Sequence, residues 1–480
     1  MGNHLAKRWP FRSLWAVAVL GLSGCASFSP DSGMTVVSDI AGRAIKKDVA
    51  FVRSADDAGR TDAAVRRLLT RMLTVDAAVQ VALLNNRGLQ AAYNELALAE
   101  TDLVQESLPP NPVFSISSIS GDGASEIERQ VVGDILALAT LPFRSEIARD
   151  RFHQAQLKAA LETLRLAAEV RRAYFRAVAA NDMVGLLTDA KSTAETTAQL
   201  ATKLGETGAM NKLDQAREQV FYAETTAELA SARQEAASSR ERLARLMGLW
   251  DGGLNFRIPD HLPALPRRPL TLPFIEVDAV AHRIDLQIAR LQLVALAKSL
   301  ELTQATRFVT LLDVSGVDKR TQDPDTPAFR ERGFDLQFQI PMFDGGEVRV
   351  RQAVETYDQA FNRLTEKAIN VRSEARDAYR VYRSTYDIAS HYQSEILPLR
   401  QIITDEMQLR FSSMQVDIFT LLTEARQRIA SLRAAIEAKR EFWLAQSDLQ
   451  TAVNGGGSAG GGVESQSVAA TTTQAASSSH

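Results

Sequence analysis

The sequence is poor in the residues from which reactive sites are usually built. Its 480 residues include one cysteine, which excludes an internal disulfide framework and any zinc site on paired cysteines. The six histidines, His4, His153, His261, His282, His391 and His480, are scattered. No Walker loop, dinucleotide-binding glycine fingerprint, nucleophile elbow or paired-histidine zinc motif occurs. The nine methionines form no cluster that would mark a copper path. The chain therefore reads as a non-enzyme, with no catalytic residues, metal ligands or cofactor. Neither sign of charge dominates, and a formal net charge of -3 argues against nucleic acid as a partner. Long apolar runs are also missing. The best internal one, "DLQIARLQLVALAKSLEL", is interrupted by Arg290 and Lys298 and reads as an amphipathic helix. A membrane span, if there is one, must be made of strands.

The cysteine stands in an informative place. Lys7, Arg8 and Arg12 make a basic start, "LWAVAVLGL" is an apolar stretch too short to span a bilayer, and "LSGC" ends at Cys25. This resembles a bacterial lipoprotein signal. Residues 1–24 would be removed and Cys25 would become a lipidated N-terminus, the palmitate-type acyl chains anchoring the protein without spanning anything. Ala26, rather than an aspartate, follows the cysteine, which in such lipoproteins favours the outer membrane.

Beyond residue 74 the chain repeats itself. "RGLQAAYNELALAETDLVQESLPPNPVFSI" from Arg87 recurs in outline as "RIDLQIARLQLVALAKSLELTQATRFVTLL" from Arg283. "LPF" at Leu141–Phe143 parallels "IPMF" at Ile340–Phe343, and "EVRRAY" from Glu169 parallels "EARDAY" from Glu374. "LGETGAMNKLDQAREQ" from Leu204 parallels "RFSSMQVDIFTLLTEARQ" from Arg410. The domains expected are an anchor and equatorial segment at 25–74, repeat 1 at 75–254, a Pro-rich linker at 255–274, repeat 2 at 275–453 and a disordered Gly/Ser-rich tail at 454–480. Residues 26 to about 74 and the linker show no long periodic run and read as irregular.

Each repeat reads helix, strand, strand, long helix, break, long helix. The strands are expected near Pro112–Ser120, Gln130–Thr140, Phe308–Val317 and Phe334–Ile340, joined by the polar "GDGASE" and "DKRTQDPDTPAFRER". The last strand alternates strictly, with Phe334, Leu336, Phe338 and Ile340 on one face and Asp335, Gln337 and Gln339 on the other. The first long helix is expected from about Phe143 to Leu204. Leu157, Leu161, Leu164, Ala168, Phe175 and Val178 follow steps of four and three, broken at Arg171. Ala425, Ile429, Leu432, Ile436 and Trp443 do the same, broken at Lys439. This is the spacing of a coiled coil or of a helical bundle, which periodicity alone does not separate. Four strands cannot close a barrel with a useful lumen, so they must be shared; two chains would give eight strands, a barrel filled by its own side chains, whereas three would give twelve and a water-filled pore, which favours a trimer.

The double repeat, the "PMFDGGEVR" junction, the paired "EVRRAY" and "EARDAY" segments and the two tip segments resemble the TolC-type outer-membrane factors of bacterial tripartite efflux systems, over roughly residues 75–453. The resemblance implies a mainly α-helical fold with a membrane β-barrel. It implies a homotrimer with a twelve-stranded barrel and a long helical periplasmic tunnel. It also implies a passive exit duct for drugs, small toxic compounds or heavy-metal ions, served by a periplasmic adaptor and an inner-membrane pump. Pro142, Pro341, Gly345 and Gly346 would mark the strand-to-helix junctions. Gly208, Asp214, Phe411 and Met414 would be helix-tip contacts to the adaptor. The family's tip pattern places a glycine and two aspartates where repeat 2 has Met414, Thr420 and Thr423, so Thr420 and Thr423, with the nearby Asp417 and Glu424, are the aperture candidates. The alternative is a structural or adaptor-like periplasmic coiled-coil lipoprotein, which would not need a two-faced strand.

Overall fold

The computed structural model describes residues 28–121, 124–323 and 326–455. Cys25, the signal segment and residues 456–480 of the tail lie outside the described residues. The region expected to be irregular holds two helices, α1 (Met34–Ile45) and α2 (Ala55–Leu69). Both are too short to show a long period. α1 is held by burial of Met34, Val37, Ala41 and Ile45 against the core, and α2 starts at a capping box of Ser54 and Asp57. α3 (Val75–Asn85) and α4 (Arg87–Ser107) are separated only by Asn86, which accepts from the Leu89 N–H at 3.0 Å and donates to the Leu246 carbonyl at 2.9 Å.

The element order then repeats. In the first unit α4 leads to β1 (Val113–Gly121), β2 (Ala124–Asp134), α5 (Ile135–Glu206) and α6 (Lys212–Leu246). In the second, α7 (Ile275–His282) and α8 (Ile284–Ala305) lead to β3 (Leu311–Asp323), β4 (Thr326–Gln339), α9 (Glu347–His391), α10 (Leu397–Ser412) and α11 (Ile418–Asn454). A π turn, Tyr392–Ile396, joins α9 to α10 just before Pro398, whose missing N–H leaves a normal turn short of one bond. α5, with 72 residues, is about 108 Å long at 1.5 Å per residue.

Several expected boundaries move, and β2 already begins at Ala124, within the stretch expected to be a turn. β2 ends at Asp134, and Ile135–Thr140 is helical. A short apolar run is compatible with strand or helix, and the choice is made by Asp134, whose carboxylate caps α5 by accepting from the Ala137 N–H at 2.7 Å. Pro142 therefore lies inside α5 and not at a strand-to-helix junction. β3 and β4 run on through most of "DKRTQDPDTPAFRER", where Asp318 faces Arg332 and Lys319 faces Glu331; cross-strand charge pairing supports strand there without hydrophobic alternation.

The four strands form one antiparallel sheet in the order β1-β2-β3-β4, so the two repeats meet at the β2–β3 ladder and both outer edges of the sheet are open. Below the sheet, α5 packs against α4, α6, α8 and α11, and α9 against α8 and α11. In the α5 stripe Leu157, Leu164, Ala168, Phe175 and Val178 are buried. The matching stripe of α11 is only half-buried; the buried apolar positions of the helix are Phe442, Leu444, Ala445 and Leu449, because α11 divides its surface between α5 and α9. The two charged breaks are satisfied. Arg171 donates to Gln450 and Lys439 to the Leu262 carbonyl at 3.0 Å, and burial holds both below their usual pKa. Tyr382, Tyr386 and Trp443 bond the backbone of Leu270, Pro266 and Pro263, which fixes the Pro-rich linker on the helices.

Candidate channel: the two-faced sheet, its junctions and the helix tips

Strand register carries the alternation of β4 across the whole sheet. Leu336 faces Val314, Phe334 faces Gly316, Phe338 faces Leu312, and Val131 lies between Phe114 and Gly316. Side chains at paired positions share a face, so one face carries Phe114, Ile116, Val131, Leu312, Val314, Phe334, Leu336 and Phe338. Phe334 is 84% exposed and Ile116 76%, a large apolar surface with nothing covering it in the single chain. The other face is mixed, with Val113, Ile119, Val132, Val317 and Phe329 among polar residues, and it holds most of the carboxylates. Among the described residues it carries Glu126, Glu128, Asp134, Asp313, Glu331 and Asp335 against one cation, Lys319, which pairs with Glu126 at 2.7 Å. Gln130 donates to Ser315 Oγ at 2.9 Å on that same face. The facing of β1–β3 was not legible in sequence, because serine and glycine interrupt their alternation. Only pairing to β4 reveals it.

The base of the sheet is clamped where β4 turns into α9. Gly345 and Gly346 have φ of 57° and 73°, and a Cβ on Gly346 would stand 2.3 Å from the Arg307 carbonyl oxygen. Arg307 Nε donates to the Gly345 carbonyl at 2.7 Å, and Arg349 returns a bond to the Thr306 carbonyl at 3.1 Å. Pro341 follows Ile340 just past the last strand residue, and its carbonyl accepts from the Gly345 N–H at 2.9 Å. Thus Pro341, Gly345 and Gly346 sit at a junction, closed by close backbone approach that a side chain at 346 would prevent.

At the far end the two tips have one design. Gly208 and Met414 both adopt the left-handed conformation, at φ 74° and 58°. In each tip the next N–H reaches back five residues, Ala209 to the Leu204 carbonyl and Gln415 to that of Arg410. Asn211 then caps α6 and Asp417 caps α11. Asp214 and Thr420 occupy the same position in their helices, three residues past the cap. Met414 is 94% exposed in its strained conformation, and Phe411 is 38% exposed. Thr420 and Thr423 are exposed one turn apart. The Thr420 hydroxyl donates to Asp417 at 2.6 Å and that of Thr423 to the Phe419 carbonyl at 2.8 Å. The Thr420 hydroxyl and N–H hold the Asp417 carboxyl below the usual carboxylate range. Asp214 pairs with Arg217 at 3.0 Å.

Glu424 does not join this group. It is 7% exposed and is gripped by Arg400 at 3.2 Å. A side chain buried already in the single chain cannot line an opening. Sequence reasoning also missed a link between the repeats: Glu218 of α6 pairs with Arg426 of α11 at 2.8 Å, with the guanidinium 4.3 Å over the Phe221 ring. No spacing in the sequence relates residues 218 and 426, so only the packing of α6 on α11 exposes it. Among the described residues no helix is long and apolar enough to cross a membrane, and no group of three or more His, Cys, Asp or Glu is placed to hold a metal ion.

No family model matches the chain. The cobalt-zinc-cadmium resistance protein CzcC of Cupriavidus metallidurans is 25% identical over 312 residues, covering 60% of this chain and 68% of that protein. Among solved structures, CusC, described in terms of transmembrane channel formation, superposes with a TM-score of 0.67 at 18% identity, covering 80% of this chain and 92% of that one. The Campylobacter jejuni CmeC outer membrane channel gives 0.67 at 14% identity, covering 87% and 92%. The outer-membrane channel OprN gives 0.66 at 17%, covering 91% and 98%. Mainly helical, with one four-stranded antiparallel sheet set between its helices, this chain has the fold of those outer-membrane channels.

Proposed function

We propose that the chain is the outer-membrane channel of a tripartite efflux system. Three copies join their sheets edge to edge into a twelve-stranded barrel, and their helices form a tunnel into the periplasm. The observation that carries this reading is the sheet itself. It has two open edges, an uncovered apolar face and a mixed, carboxylate-rich face, and it is joined to helices of roughly 100 Å. Open edges and an apolar face are stable together only when neighbouring sheets pair the edges and lipid covers the face. Phe308 and Phe343, exposed at the base of the sheet, suit the aromatic girdle of a membrane barrel. Phe361, Ile369, Val381, Ile388 and Ile402 of α9 and α10 are exposed, which supports burial of these helices against neighbouring copies.

In this reading Thr420, Thr423 and Asp417 line the periplasmic aperture. Gly208, Asp214, Phe411 and Met414 present the tips to a periplasmic adaptor, which links the channel to an inner-membrane pump. Cys25 carries the lipid. Ser29 bears on the anchor: its N–H and hydroxyl donate to the buried Glu100 at 2.6 and 2.5 Å, tying residue 29 to α4 two turns before that helix ends. Four residues from Cys25 reach at most about 14 Å further. The cargo that fits best is a divalent metal cation. The similarity to CzcC and the carboxylate-rich face of the sheet, which would line the lumen and concentrate cations, both favour it.

The test is to express the full chain in a strain lacking its own export channels. Fractionation, oligomer size and planar-bilayer conductance of the purified protein are measured with palmitate labelling. A conducting trimer from the outer membrane is expected, labelled in the native form and unlabelled in Cys25→Ser. A non-conducting monomer in the soluble periplasmic fraction would overturn the channel, and labelling retained by Cys25→Ser would overturn the anchor.

A further inference from the structure

Charge is segregated across the sheet, and the outward face has a basic half. Above Phe334 and Gly316, toward the hairpin ends, the pairing places Arg129, Asp318 and Arg332 in one row and Ile127, Arg320 and Arg330 in the next. All six lie on the face of Phe334, Leu336 and Phe338, because pairing and alternation fix the side. The four arginines are exposed. Among the described residues one carboxylate on this face answers them: Asp318 binds Arg330 through two bonds and lies 3.6 Å from Arg332. The glutamates of these strands, Glu126, Glu128 and Glu331, are on the opposite face. The first arginine row, which also holds Ile116, lies two residues, about 7 Å, beyond the Phe334 row.

We propose that this arginine cluster binds the phosphate groups of a phosphorylated glycolipid of the outer leaflet, with the acyl chains lying against Phe334, Leu336 and Val314. The inference rests on the barrel reading, since only a barrel turns this face to lipid. Helices fill the space at one end of the sheet, so the hairpin ends, with the arginines, are at the outer surface. Guanidinium groups match phosphate oxygens in pairs, and a cationic row immediately above an apolar band meets a molecule that is anionic at its head and apolar below. Water or a neutral headgroup would leave the described residues of this cluster, four arginines and Asp318, with a net positive charge. A free phosphate would use the arginines but not the adjoining apolar band.

The experiment uses the purified full-length trimer in neutral detergent, with bound lipid counted by native mass spectrometry. The probes are bisphosphorylated lipid A, its dephosphorylated form and inorganic phosphate. The variant is Arg129→Gln, Arg320→Gln and Arg332→Gln together, which leaves the Arg330–Asp318 pair in place; Lys319→Gln, on the other face of the same strand, is the control. The native trimer and the control should prefer bisphosphorylated lipid. The triple variant should bind it roughly a hundredfold more weakly, at about fivefold per arginine, with unchanged conductance. Equal binding by native and triple variant at intact conductance would overturn the lipid site alone. Inorganic phosphate binding as tightly as the lipid would show an anion site and likewise overturn it. A native protein that forms no conducting trimer would overturn the barrel and the lipid site with it.

Discussion

The proposed facing of the sheet in a barrel is open to a sharp test at Leu336 and Gln337, neighbours on β4 whose side chains point to opposite faces. Leu336 is paired with Val314 and flanked on its face by Phe334 and Phe338. The apolar run from Phe334 to Ile340 is about 20 Å tall at 3.3 Å per residue, and Leu336 stands near its middle. If that face meets lipid, as the barrel proposal requires, an arginine there costs about 2–4 kcal/mol. Each trimer would carry the cost three times, roughly 6–12 kcal/mol in all, comparable with the whole stability of a domain. Gln337 is paired with Asp313 on the carboxylate-rich face, so an arginine there gains a partner. Trimer recovered from outer membranes, by non-denaturing electrophoresis at matched expression, should nearly vanish for Leu336→Arg and stay close to native for Gln337→Arg. Equal losses would refute the facing, and loss confined to Gln337→Arg would mean that the sheet is inside out.

Three further outcomes are expected. Gly346→Ala should lower the thermal midpoint well beyond Gly345→Ala. Both pay the left-handed cost of about 1–2 kcal/mol, but only at 346 does the new Cβ meet a backbone oxygen, at 2.3 Å against a nearest side-chain atom at 3.9 Å for 345; equal shifts would show that the clamp to Arg307 is unimportant. Glu218→Ala should destabilise by about 1–3 kcal/mol in denaturant melts, short of a fully buried pair because Arg426 is 36% exposed. Adding Arg426→Leu should restore part of the loss, and strictly additive effects would deny the pair its role. At the aperture, a trivalent cation on the periplasmic side should barely affect the native channel in planar bilayers. Thr420→Asp with Thr423→Asp should introduce a block that salt weakens. Strong block of the native protein would place Asp417 or Asp214 in the ring, and no block in either would remove the threonines from it.

Much of this architecture is legible in the sequence because it rests on local periodicity, which repeats. The 3.6-residue pattern and the recurrence of Arg87's segment at Arg283 and of Leu204's at Arg410 determine the two units and their long helices. The strict alternation of Phe334–Ile340 determines a two-faced strand. The pair Gly345-Gly346 determines a backbone turn that few other residues would allow. What the sequence leaves open depends on neighbours far along the chain. Whether Ile135–Thr140 is strand or helix is decided by the Asp134 cap, and Pro142 is thereby carried into α5. Whether "DKRTQDPDTPAFRER" is loop or strand is decided by ion pairs that form only across β3 and β4. Glu424 looks like a free acid until Arg400 closes on it. Arg129, Arg320, Arg330 and Arg332 are ordinary charges in a list of 55 basic residues. The tertiary structure places them on one face, because strand register, set by hydrogen bonds between segments as much as 200 residues apart, fixes which side of a sheet each side chain takes.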